Sequence, residues 1–155
     1  MGILEKQVTS LELSRRLKEL GFEQESLWYF KVMDVDQWHE GDSLVLDSDA
    51  KIKNQNKPKA NFFFMQNSQV STEEKGENDL FSAFTVAELG EMLPERIKIN
   101  HEEKSFSIFR EKINETWDVV YSTNTDDDCG LWQQANTEAD ARAKMLIYLK
   151  ENKYV

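Results

Sequence analysis

Three threonines, Thr9, Thr85 and Thr137, each stand at the head of an apolar, helix-periodic stretch, and each is followed three residues later by an acid: Glu12, Glu88 and Asp140. A threonine hydroxyl at a helix N-terminus accepts from the backbone N–H three residues on while the acid reaches back, so each pair predicts a helix start closed by a capping box or its Asp variant. Val8 with Leu13 and Phe84 with Leu89 have the spacing of hydrophobic staples, which would set how the chain approaches the first two helices. The distances between the threonines differ, so this is recurrent capping chemistry and not a repeat array. The first helix is expected from Ser10 to Leu20, with Leu13, Leu17 and Leu20 on one stripe and Gly21 in the left-handed position that ends it. A second, Val86 to Leu93, stops before Pro94, whose ring disfavours helical geometry in the residue ahead of it. The third, Glu138 to Asn152, is acidic at its start and basic at its end, matching the helix dipole. Its Met145–Leu149 run faces every direction, so this helix is either sandwiched or meets a partner.

Between the helices the pattern turns to strands. Ser26–Val32, Asn61–Gln66, Arg96–Asn100, Ser105–Phe109, Thr116–Tyr121 and Leu131–Gln134 are apolar, aromatic or alternating runs of strand length, with Glu102–Lys104 read as the turn between two of them. Clustered strands interrupted by only three helices argue for an α+β fold, one domain over residues 1–155 with a mostly antiparallel sheet, and against βαβ crossovers. The 155 residues suffice for one core. The polar, aperiodic stretches Asp42–Ala60 and Asn67–Asp79 are expected to be long mobile insertions.

Charge narrows the function classes. Nineteen basic and 29 acidic side chains give a net charge of −10, which argues against affinity for free nucleic acid. Two local departures stand out. Lys51, Lys53, Lys57 and Lys59 fall in nine residues without an acid and precede the rings Phe62–Phe64, the ingredients of an RNA-contacting edge. Asp126, Asp127 and Asp128 form an uninterrupted acidic triplet suited to a basic partner protein. A solvated loop is the plain alternative in each case.

Catalytic signatures are few. The chain has two histidines, His39 and His101, and one cysteine, Cys129, and it carries none of the nucleophile-elbow, zinc-protease, paired-cysteine or phosphate-loop patterns. The field of the acidic triplet should raise the Cys129 thiol pKa and weaken it as a nucleophile. Glu102–Lys104 matches a fragment found in some nucleases, a three-residue pattern common in acidic chains. The aspartate triplet lacks the alternate ligand spacing of a calcium loop, so neither metal nor cofactor is expected. A single cysteine and the absence of a basic segment leading into an apolar one near Met1 point to the cytoplasm, and no apolar run approaches the length of a membrane span.

The segments SLELSRRLKELG (10–21) with QESLWY (24–29), FSAFTVAELGEMLP (81–94) and TEADARAKMLIYL (137–149) resemble a family of small proteins encoded by bacteriophages and prophages. What the resemblance implies is a shared scaffold of helix caps and apolar faces. It carries no activity, so no catalytic residue transfers. Member-specific function is then expected in Asp42–Ala60, Asn67–Asp79 and Ser122–Gly130. Together these readings lead to a non-enzymatic phage or prophage protein of the bacterial cytoplasm that binds and inhibits a host defence complex, with an RNA-guided CRISPR nuclease as the leading target. A phage regulatory or packaging accessory protein is the alternative, and a metal-dependent nuclease the weaker one.

Overall fold

Backbone pairing sorts the strands into two antiparallel sheets joined through three helices. A computed structural model describes residues 6–33, 61–71, 73, 79–110, 115–123 and 130–155. The elements are α1 (Leu11–Glu19), β1 (Trp28–Met33), β2 (Asn61–Gln66), β3 (Leu80–Ser82), α2 (Val86–Met92), β4 (Arg96–Ile99), β5 (Glu102–Arg110), β6 (Trp117–Ser122), β7 (Leu131–Ala135) and α3 (Glu138–Glu151). One sheet has the order β2-β1-β3, and the other is a meander, β4-β5-β6-β7. This is the α+β, single-domain architecture expected of three helices set among clustered strands.

The caps behave in three different ways. At α2 the box closes as expected: Glu88 N–H donates to Thr85 Oγ1 at 3.2 Å, and Thr85 N–H donates to the Glu88 carboxylate at 2.7 Å. At α3, Thr137 accepts from Asp140 N–H at 3.1 Å, but the Asp140 carboxylate turns away and accepts from the backbone N–H of Ser10 at 2.7 Å. One acid thus joins the starts of α1 and α3. At α1 the expectation of a Thr9 cap is corrected. Val8 bridges Thr85 and Thr9 N–H donates to the Phe84 carbonyl, which commits Thr9 to strand-like pairing. Its buried hydroxyl instead bonds that of Ser14 at 2.7 Å, and the cap position passes to Ser10.

The helix ends follow the chain's stop signals. Gly21, at φ +80°, completes a Schellman motif on α1, with Gly21 N–H donating to the Lys18 carbonyl and Phe22 N–H to that of Leu17. The same pattern closes α3 around Lys153 at φ 60°. The omnidirectional apolar face of α3 is explained by sandwiching. Ala139, Ala141, Ala143, Met145, Leu146 and Leu149 are all buried, and the helix packs on β6, β7, α1 and α2. Its core companions include Leu17, Phe84, Leu89, Leu93, Ile97, Val119 and Tyr121.

Two further readings are corrected. Glu102–Lys104 is not a turn. Asn100 and His101 both take positive φ (50° and 71°), the requirement of a two-residue type I′ hairpin, so the reversal is complete by Glu102 and β5 begins there. Within the stretch expected as an insertion from Asn67, Asn67–Gln69 forms a 3-10 turn in which Gln66 and Gln69 bond reciprocally, and Val70 is buried against Tyr29 and Leu80. Asp42–Ala60 lies outside the described residues.

Candidate functional site

Cross-strand register divides the four-stranded meander into two faces. Residues directly opposite each other in an antiparallel pair share a face. The pairs Ile97–Lys104, Phe106–Tyr121, Ile108–Val119, Tyr121–Leu131 and Trp117–Ala135 therefore fall together, and they are the side packed under α3. The opposite, outer side carries Phe109 across from Asp118, Asp118 across from Gln134, and Val120 across from Trp132. Phe109 and Trp132 are 52% and 56% exposed, whereas Asp118, between them, is only 2% exposed. An outer sheet face usually sinks its polar groups into water and keeps its large rings elsewhere; here the rings are outside and the carboxylate is inside.

Asp118 is held by its neighbours on β7. Its Oδ1 accepts from the Trp132 indole Nε1–H at 2.6 Å and from the Gln134 side-chain amide at 3.0 Å. Its Oδ2 is buried and has no donor among the described residues. Leaving a buried acceptor without a donor costs about 1–3 kcal/mol and more when it is charged, so this oxygen is the least satisfied charged group described on the sheet. The two exposed rings supply flat π faces, electron-rich above and below the ring plane. Chemically, the patch is a carboxylate with one oxygen bound and the other without a donor among the described residues, bordered by aromatic surface.

Two hollows lie elsewhere on the molecule. One, of about 470 Å³, lies between α1, α3 and β7, where Arg16 pairs Glu151 at 2.6 Å and Glu19 at 2.9 Å. Those hydrogen bonds hold the Arg16 guanidinium pKa above its ordinary value. The other, of about 1050 Å³, borders the starts of α2 and α3, where Thr85 accepts from Glu88 N–H, Thr137 from Asp140 N–H, and the Gln7 carbonyl from Val86 N–H. On α1, Lys18 donates to the Leu80 carbonyl at 2.8 Å and lies over the Phe81 ring, and burial pushes its ammonium pKa down.

The acidic triplet Asp126–Asp128, the lysines Lys51, Lys53, Lys57 and Lys59, His39 and Cys129 all lie outside the described residues. The triplet belongs to the connection between β6 and β7, the two strands that carry Asp118 and Trp132. His101 is exposed in the β4–β5 turn, apart from the patch. No group of three or more His, Cys, Asp or Glu side chains converges for a metal among the described residues. None of the described helices is long and apolar enough to cross a membrane. The Phe109, Asp118 and Trp132 patch was not singled out by sequence, although a signal existed: Asp118 interrupts the otherwise apolar run Trp117–Tyr121, and an acid inside a strand core asks for a reason.

Comparison with known proteins finds no matching family model, no significant match among curated proteins and none among solved structures.

Proposed function

We propose that this chain acts without catalysis, by occupying a basic surface of another macromolecule, and that the outer face of the four-stranded sheet makes the contact. The observation that carries this reading is the pair of exposed rings, Phe109 and Trp132, bordering Asp118 on the side of the sheet turned away from the helices. Exposed aromatic surface around a desolvated charge is the anatomy of a binding hot spot. The net charge of −10 supports a cationic partner, since it would steer association with a basic surface. The phage-type resemblance of the three helical segments directs the search to a host protein or ribonucleoprotein of the bacterial cytoplasm, with inhibition of a defence complex such as an RNA-guided nuclease as the expected outcome. On this reading Asp126, Asp127 and Asp128 extend the acidic surface, and Lys51, Lys53, Lys57 and Lys59 would touch RNA at its edge.

The test is affinity capture from a bacterial host lysate, with and without nuclease treatment, followed by identification of the partner and reconstitution with the purified protein. Wild type is compared with a Phe109→Ser, Trp132→Ser double variant. Loss of the reconstituted complex in the double variant, with the folded state intact by circular dichroism, is the expected result. An identified partner retained at unchanged affinity by that variant would sink the assignment of the face.

A further inference from the structure

We infer that Asp118 is the seat of a single arginine side chain from the partner, taken between the Trp132 and Phe109 rings. This rests on the reading of the outer face as a binding surface and names what that surface grips. Oδ2 of Asp118 is buried and has no donor among the described residues, while Oδ1 already accepts two hydrogen bonds. The missing partner is therefore a donor, and beside an anionic oxygen a cationic donor binds more strongly than a neutral one. Both rings that border the carboxylate are more than half exposed, so either can swing outward without leaving a packed core. A guanidinium fits both demands at once: its plane stacks on aromatic faces while its edge donates to a carboxylate. An ammonium satisfies the charge but cannot stack as a plane, so the site discriminates arginine from lysine. The overall charge of −10 favours approach of such a group but does not fix where it lands; Asp118 Oδ2 does.

The Trp132 indole N–H is a built-in reporter, because it donates to the same carboxylate. Titrating the full chain with a short blocked arginine-rich peptide should move the Trp132 indole resonance in a proton–nitrogen correlation spectrum. The same peptide with citrulline in place of arginine, which keeps the shape and loses the charge, should bind at least about tenfold more weakly to the wild-type protein. A lysine-rich peptide should be weaker than the arginine peptide and shift the indole less. Asp118→Asn, which keeps an acceptor for Trp132 and Gln134, should lose about tenfold or more in affinity for the arginine peptide with its fold retained. Equal binding of arginine and citrulline peptides, or an unmoved Trp132 resonance, would overturn the inference, and these readings use wild-type protein, so they stand even if the variant misfolds. Against the reconstituted partner the two proposals separate. If the double ring variant loses the partner while Asp118→Asn keeps it, the face stands and the arginine seat falls. If the double ring variant keeps it too, both fall.

Discussion

Gly130 has no room for a side chain: a Cβ built there would run into the carbonyl oxygen of Tyr121, a backbone atom that cannot rotate aside. Gly130→Ala must therefore push β6 from the start of β7, and a loss of about 2 kcal/mol or more in urea-unfolding stability is expected. Glu88 shows how much one side chain can organise. Beyond closing the α2 cap, its carboxylate accepts from Leu27 N–H at 2.8 Å and from the Ser26 hydroxyl at 3.0 Å, tying the start of α2 to the approach to β1. Glu88→Ala strands the Thr85 and Leu27 N–H donors together, the Ser26 hydroxyl keeping the Ala83 carbonyl as acceptor, so it should cost about 2 kcal/mol, whereas Thr85→Ala, which removes one cap acceptor, should cost about 1 kcal/mol. Equal losses for the two variants in parallel denaturant titrations would show that Glu88 acts as a cap alone.

At the scale of elements, α1 and α3 end by the same hydrogen-bond pattern with different residues in the left-handed position, Gly21 and Lys153. A side chain costs about 1 kcal/mol there, so Gly21→Ala should destabilise by that amount and Lys153→Gly should stabilise by a similar one, read as opposite shifts of the unfolding midpoint. Much of this level was legible in the chain. The three helices, their stop signals and six of the seven described strands rest on local chemistry: Thr85 and Glu88 close the start of α2, Pro94 follows the end of α2, and Leu17 lies on the buried stripe of α1. What escaped depended on partners distant in sequence. Thr9 loses its cap role because Phe84 claims its N–H, and Leu80–Ser82 becomes a strand only because β1 offers an edge, its three residues being too short for a periodic pattern. Lys104 reads as a turn lysine until Asn100 and His101 complete the reversal ahead of it. The outer-face patch escaped for a like reason. Phe109, Asp118 and Trp132 sit on three strands, and only their register brings them side by side.

For the whole molecule, alkaline pH is a direct probe of core integrity. Tyr121 is fully buried and donates its hydroxyl to the Pro94 carbonyl, and burial holds its phenol pKa well above the ordinary value near 10. The folded state therefore keeps a proton that the unfolded chain releases, so this contribution is intact below pH 10 and is lost as pH rises beyond it, at up to about 1.4 kcal/mol per pH unit. Tyr121→Phe should flatten stability against pH above 10 relative to wild type, whatever it does to stability at neutrality. Parallel slopes would refute that account. The two sheets also differ in how far their pairings reach along the chain. Every partner in the meander is the next strand, while β1 must find β2 across residues 34–60 and β3 further on. Closing the longer loops costs more chain entropy, so the meander with α3 should assemble first and the smaller sheet should dock last. Pulse-labelled hydrogen exchange during refolding would then find the amides of Val119 and Tyr121 protected before those of Tyr29 and Phe30, and a refolding chain would carry its outer-face rings in register before the β2-β1-β3 sheet is in place.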